Sequence, residues 1–310
     1  MRNILKLSFL AMLVFTGCKN NNTEKDKTPR EVEKITIVHT LGTAEVSKKP
    51  KIVVALDYAS LETLDELGIK IAGMPKANVP SHLKKYEDNA SIIDLGSLKE
   101  INYDKLNDLN PDVIFMSARL QEAYPEISKI APTVYTEIDY KNYIASLEKN
   151  FTIFGEIFDK KEETDKAINS IKQRFSSINE RTNNSGKKAL VVLYNNGKFS
   201  AYGKGSRFGL IHDVMGIKEA VENLEIARHG QAVSNEFIQN VNPDYLFIVD
   251  RGAVVENKHS SKSEIENKLI QQTDAYKNGK IIYLNPEVWY LSGGGITSIN
   301  KMISEVEKSL

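Results

Sequence analysis

Two apolar runs in this chain are set in the same frame. Asn110-Pro111-Asp112-Val113-Ile114-Phe115-Met116-Ser117-Ala118-Arg119 returns as Asn242-Pro243-Asp244-Tyr245-Leu246-Phe247-Ile248-Val249-Asp250-Arg251. Each run is continuous rather than alternating and is rich in β-branched or aromatic residues, the pattern of a strand buried on both faces of a parallel sheet. The proline ahead of each run ends the preceding helix, because its ring blocks helical hydrogen bonding. Arginine therefore stands at the carboxyl edge of a strand in both halves, where open α/β sheets bind ligands. The approach matches too, with Asp104 eight positions before Asp112 and Glu236 eight before Asp244. Facing arginines and matching outer carboxylates predict a clamp for an anion. The plainer alternative is a coincidence of the common helix-Pro-Asp-strand junction.

Around these runs the pattern reads strand, turn, strand (Lys34 to His39, Thr43 to Ser47), then the apolar strand Ile52 to Leu56. A helix follows on Leu61, Leu64 and Leu67, with Gly68 as its carboxyl cap. Strands and helices alternate to about Ile138, which predicts a parallel sheet covered by helices. Tyr143 to about Asn183 is different: long, charged and helical in period, with Leu147, Phe151, Phe154, Phe158, Ala167, Ile171, Phe175 and Ile178 as its apolar stripe. We read it as a stiff helical spine joining two lobes and limiting their closure. A helical hairpin, broken near Gly155 or Asp159-Lys160-Lys161, is the alternative. A second alternating region runs from Lys188 to Leu284, and a last amphipathic helix spans roughly Ile296 to Leu310.

Composition fits a soluble globular protein, at 41% hydrophobic and 26% charged residues. With 41 basic and 41 acidic residues among 310, the formal net charge is zero. No global field draws this chain to nucleic acid or to an anionic membrane, so any anion site is a local arrangement. The first residues read as a leader: Arg2 and Lys6 flank an apolar stretch, Leu7 to Phe15, too short to span a bilayer. It ends in Phe15-Thr16-Gly17-Cys18, which resembles a bacterial lipobox, although Phe15 replaces the usual leucine. Cys18 is the only cysteine. That excludes disulfides within the chain and cysteine-based metal sites. The polar stretch after it cannot bury enough apolar surface to offset its ordering entropy. The organisation is then residues 1–17 leader, 18–34 flexible tether, 35–139 first lobe, 140–186 spine and 187–310 second lobe.

Three further motifs carry candidate chemistry. Gly203-Lys204-Gly205-Ser206-Arg207-Phe208-Gly209 lacks a phosphate loop's spacing, since Lys198 stands where glycine is needed. Arg207 could still join free backbone amides in holding an oxygen-rich anion. His229 lies in a polar loop, Ala227 to Gln231, and the other histidines (His39, His82, His212, His259) lack the short spacing of a multi-histidine metal site. Trp289-Tyr290-Leu291-Ser292-Gly293-Gly294-Gly295 holds the only tryptophan, and its glycines suit a sharp turn into the last helix.

Taken together these residues resemble the substrate-binding lipoproteins and periplasmic proteins that feed ferric siderophores to ABC importers, in the catecholate branch that handles petrobactin and linear enterobactin fragments. The likeness runs from the lipobox to the end. It rests on Asp94 to Glu100, Ile130 to Thr133, Ser206 to Asp213, His229 to Gln231, Asn242 to Arg251 and Trp289 to Gly295. It implies an α/β, two-lobed class III substrate-binding protein with a long interlobe helix, which is not an enzyme and has no intrinsic cofactor. Arg119, Arg207 and Arg251 would line the cleft, and His229 and Tyr290 would fill the iron positions that a tetradentate siderophore leaves open. Asp104 and Glu236 would dock the permease, Asp104 standing where the family commonly has Glu. Cys18 would anchor a monomer to the outer face of the cell membrane by its lipid alone. Haem or cobalamin is the rival ligand, less suited to three arginines than a compact multiply charged complex. A secreted hydrolase is the rival from another class, and no Gly-x-Ser-x-Gly elbow supports it.

Overall fold

The computed structural model describes residues 33–310. The leader, Cys18 and residues 19–32 of the tether lie outside the described residues. Lys34, expected at the tether's end, already pairs with Ser47 in an antiparallel hairpin of β1 (Lys34–His39) and β2 (Gly42–Ser47). The first half continues through β3 (Val53–Ala55), α1 (Tyr58–Glu66), β4 (Gly73–Met74), α2 (Lys84–Glu87), β5 (Ile93–Asp94), α3 (Tyr103–Asp108), β6 (Val113–Met116), α4 (Tyr124–Ile130) and β7 (Thr133–Tyr135). Its five-stranded sheet has the order β5-β4-β3-β6-β7, every pair parallel as the alternation predicts. Gly68 follows α1 in the left-handed region at φ 70°, where glycine carries no Cβ penalty.

Next come α5 (Tyr143–Phe158) and α6 (Lys161–Asn183). The second half comprises β8 (Lys188–Asn195), β9 (Lys198–Tyr202), α7 (Leu210–Asp213), β10 (Lys218–Glu219), β11 (Gln231–Val233), α8 (Asn235–Val241), β12 (Tyr245–Asp250), α9 (Gly252–Val255), α10 (Lys262–Ile265), α11 (Asp274–Lys277), β13 (Ile281–Leu284) and α12 (Ile296–Ser309). Its six-stranded sheet has the order β11-β9-β8-β12-β13, with β10 pairing β8. This sheet is mixed, not parallel. Asn196 and Gly197, both at positive φ, turn β8 back into β9 as an antiparallel hairpin, and β11 pairs antiparallel with β9. The Asn-Gly pair between apolar runs is a hairpin signal in its own right.

The expected single spine is instead a helical hairpin. Asp159 adopts φ 57° and the chain reverses, so that Lys172 on α6 meets Glu148 on α5 at 2.5 Å. Burial explains the break. Tyr143, Leu147 and Phe151 of α5 enter the core of the second sheet, and Ile153, Phe154, Ile157 and Phe158 enter that of the first. The stripe of α6 (Ile168, Ile171, Phe175, Ile178) serves the second core only. A continuous rod would carry that stripe roughly 30 Å past the sheets and leave it in water. The spanning role expected of the whole segment thus falls to α5.

The repeated motif has a structural meaning at its start. Asn110 and Asn242 both take φ 46°, the left-handed position that closes a helix, and proline follows each. Asp112 Oδ2 accepts the backbone N–H of Lys51 (2.7 Å) and Ile52 (2.8 Å). Asp244 Oδ2 accepts that of Lys188 at 2.9 Å. Each aspartate clips its own strand to the start of its sheet neighbour, β6 to β3 and β12 to β8.

Candidate functional site

Chain direction and capping place the functional side chains. Arg119 lies three residues beyond β6 and Arg251 directly after β12, both interior strands of their sheets. Arg207 follows β9 on the loop into α7 and is backed by Phe208, which is fully buried and packs edge-on against Tyr202 (4.7 Å) and Trp289 (6.4 Å). Tyr290 occupies a single π-helical turn, Glu287–Ser292, after β13. Such turns recur at functional sites because the widened backbone aims one side chain, and here one carbonyl, away from the regular ladder.

All three arginines converge on Tyr290. Arg119 Nη2 donates to its carbonyl oxygen at 2.6 Å, and Arg207 Nη2 donates to the same oxygen at 2.5 Å. Arg251 Nε donates to the phenol oxygen at 3.1 Å. The guanidinium carbons of Arg207, Arg119 and Arg251 stand 4.2, 5.0 and 5.9 Å from the ring centroid, within reach of its π face. All four residues are half-buried.

Electrostatically the cluster is one-sided. Among the described residues no carboxylate pairs with Arg119 or Arg207; Arg251 alone has one, Glu256 at 3.6 Å. Burial, and then the Arg207 charge, depress the Arg119 pKa. Burial alone would raise the Tyr290 phenol, but the Arg251 hydrogen bond and the charges of Arg207, Arg119 and Arg251 outweigh it and hold the phenol below its ordinary value. Two uncompensated guanidiniums in a partly desolvated cleft make a strong site for an anion with several oxygens.

Part of the 203–209 loop has its amides taken: Lys204 N–H donates to Glu219 at 2.8 Å and Gly205 N–H to Asp213 at 2.6 Å, and the N–H groups of Ser206 and Gly209 donate to carbonyls within the loop. The N–H groups of Arg207 and Phe208 meet no protein acceptor among the described residues, so they remain beside the Arg207 side chain as the loop's contribution. His229 is exposed, on the loop between β10 and β11, and hydrogen-bonds to none of the four cluster residues among the described residues. Its neighbour Gly230 packs against Tyr202, where a Cβ would come within 2.7 Å of the ring.

Asp104 and Glu236 occupy equivalent places. Each is the second residue of a helix whose first turn is capped by a side chain, Asn102 accepting from Lys105 N–H and Ser234 from Phe237 N–H, and both are exposed. The Glu236 carboxyl is held below its usual range by its own backbone amide and by the Ser234 hydroxyl. Asn195 was not among the candidates, yet its Oδ1 accepts from Arg251 Nη1 at 3.0 Å and aims that guanidinium. Its place at the carboxyl end of β8 is the signal that could have found it.

Known proteins share this arrangement of elements. The periplasmic binding protein family model matches residues 53–288. The petrobactin-binding protein YclQ of Bacillus subtilis is 41% identical over 99% of this chain and 98% of its own, and its crystal structure superposes with a TM-score of 0.87 over 89% of this chain and 98% of that one. The ferric-anguibactin-binding protein FatB of Vibrio anguillarum is 37% identical over 96% of this chain and 94% of its own. The siderophore-binding protein BauB, solved with a complex between two molecules of acinetobactin and ferric iron, is 36% identical with a TM-score of 0.83 over 89% of this chain and 98% of that one. Matched in sequence across most of its length and in fold to these α/β substrate-binding proteins, the chain belongs to the periplasmic binding protein family.

Proposed function

We propose that this protein binds a ferric catecholate siderophore between its two halves and delivers it, chemically unchanged, to the permease of an ABC importer. The observation that carries this reading is the convergence of Arg119, Arg207 and Arg251 on Tyr290, with no carboxylate paired to the first two among the described residues. A ferric tris-catecholate unit is trianionic, and planar guanidiniums match its oxygens while keeping their charge. The names of YclQ and FatB, and the ferric acinetobactin held by BauB, support a ferric siderophore as the ligand class. In this reading residues 35–139 and 187–310 act as the two lobes, joined by the hairpin at 140–186. The lobes close on a ligand that displaces the Tyr290 carbonyl from the arginines.

Tyr290 is suited to more than shaping the pocket, because a phenol whose ionisation is favoured can become a tyrosinate ligand to iron. His229 would complete the shell from its exposed loop as the two lobes close on the ligand. A tetradentate bis-catecholate leaves two positions of octahedral iron open, and a hexadentate siderophore leaves none. His229→Ala and Tyr290→Phe are therefore expected to weaken the tetradentate complex far more than the hexadentate one, and to shift only the former's visible absorption band. Titration of both ferric complexes against Trp289 fluorescence checks this. Equal losses with both ligands, or an unmoved band, would show that the two side chains only line the cleft.

The leader and the lipobox-like ending support a place on the outer face of the cell membrane, held by a lipid on Cys18. Mass spectrometry of membrane-extracted protein is expected to find a diacylglyceryl cysteine as the first residue. An intact Met1 terminus would overturn this.

A further inference from the structure

Behind the arginine cluster, the two halves are joined by a contact that ligand binding does not use. Glu62, on α1, is completely buried. Its Oε1 lies 2.6 Å from His82 Nε2, and its Oε2 accepts the backbone N–H of Ser298 in the first turn of α12 at 2.8 Å. Because a carboxylate oxygen can only accept, the His82 proton is assigned to Nε2, consistent with a buried Nδ1 that has no partner. A buried carboxylate is costly unless its oxygens are paired, and both oxygens here are.

The surroundings close tightly on this carboxylate. A Cβ on Gly295 would fall 2.4 Å from Glu62 Oε2 and 2.6 Å from the Ala59 carbonyl. One turn further along α1, Glu66 accepts from Oγ1 of Thr297, the residue just before Ser298, at 2.8 Å. On the other side of Tyr290, Ser81 donates to Glu287 through its N–H (3.1 Å) and its hydroxyl (2.6 Å). First-half groups thus grip the chain on both flanks of Tyr290. Between the grips stands the carbonyl that Arg119 of the first half and Arg207 of the second share.

We propose that Glu62 is a positioning residue for the cleft: it clasps the start of α12 to α1 and thereby holds Tyr290 at the one place where arginines from both halves can reach it. It touches no ligand. Its action passes through the Gly293–Gly295 turn, whose three residues have no side chains with which to hold themselves. The affinity readout below rests on the siderophore reading; the titration readout does not.

The test compares full-length Glu62→Ala, Glu62→Gln and Gly295→Ala, with a Tyr290→Phe subtraction of each to isolate the Tyr290 phenol in an ultraviolet pH titration without ligand. Glu62→Ala leaves Ser298 N–H and His82 unpaired, and Gly295→Ala pushes the helix off an intact glutamate, so both are expected to move the Tyr290 titration upward toward an ordinary tyrosine. Glu62→Gln keeps an acceptor for Ser298 and is expected to rescue it. Affinity for a ferric bis-catecholate is expected to fall roughly tenfold in the first and third variants, the lower range of coupling between sites. If Glu62→Ala does not fold, Gly295→Ala against Glu62→Gln decides. A folded Glu62→Ala or Gly295→Ala protein with an unmoved Tyr290 titration would overturn the clasp. A moved titration with unchanged siderophore affinity would keep the clasp and remove the ligand from this cleft.

Discussion

Replacing Arg119 or Arg207 with alanine is expected to weaken ferric-catecholate binding by about 1.5 to 3 kcal/mol each, the range for hydrogen bonds to charged groups. That corresponds to a loss of roughly 10- to 150-fold in affinity. These two arginines have no carboxylate partner among the described residues, so the ligand's charge is the only strong counter-charge they meet. Arg251 is expected to cost least, because Glu256 at 3.6 Å already offsets part of its charge and Asn195 holds it in place. Arg119 and Arg207 share one acceptor, the Tyr290 carbonyl, so their double replacement is expected to depart from the sum of the single effects. Quenching of Trp289 provides the measurement: the indole is buried, hydrogen-bonded to Glu305 at 2.8 Å, and adjacent in sequence to Tyr290. Unchanged affinity in all three single variants, with folding intact, would place the ligand elsewhere.

Reversing Asp104 and Glu236 together to lysine is expected to abolish uptake while leaving siderophore affinity nearly unchanged. Both side chains are exposed on the first turn of a helix, and neither joins the arginine cluster. Each helix runs back to the amino end of its strand, so its own first turn lies toward the carboxyl edge that carries the arginines. The two carboxylates are therefore set as paired outer marks beside the cleft, suited to basic groups on a permease. The cost to folding is expected to be small, because both carboxylates are exposed and solvent screens their interaction with the helix N-terminus. Uptake by cells carrying the variant, beside equilibrium titration of the purified protein, separates the two roles. A large loss of binding would put these carboxylates in the ligand site.

The limits of sequence reading follow from the range of the interactions concerned. The two Asn-Pro-Asp motifs, the strands they introduce and the placement of Arg119 and Arg251 at strand ends were all legible. Each is decided within a few residues, by the φ of proline, by an asparagine that tolerates the left-handed region, and by an unbroken apolar run. Gly68 after α1 and the amphipathic final helix were legible for the same reason. The mixed second sheet was within reach as well, since Asn196-Gly197 is a local hairpin signal.

What the sequence by itself determined, then, is an α/β chain with two equivalent strand ends that each present an arginine. Tertiary structure decided the rest. The long helical segment turned back on itself because two separate cores compete for its apolar stripe, and periodicity records that a face is buried without recording in which core. The glycine-rich loop gave two of its amides to Glu219 and Asp213, side-chain pairings that no pattern of residue types shows. Tyr290 became the meeting point of three arginines through contacts that include one of 171 residues' separation, and Glu62 found the start of α12 across 236. Such pairings depend on where whole sheets come to rest against one another, which no local preference of the backbone encodes.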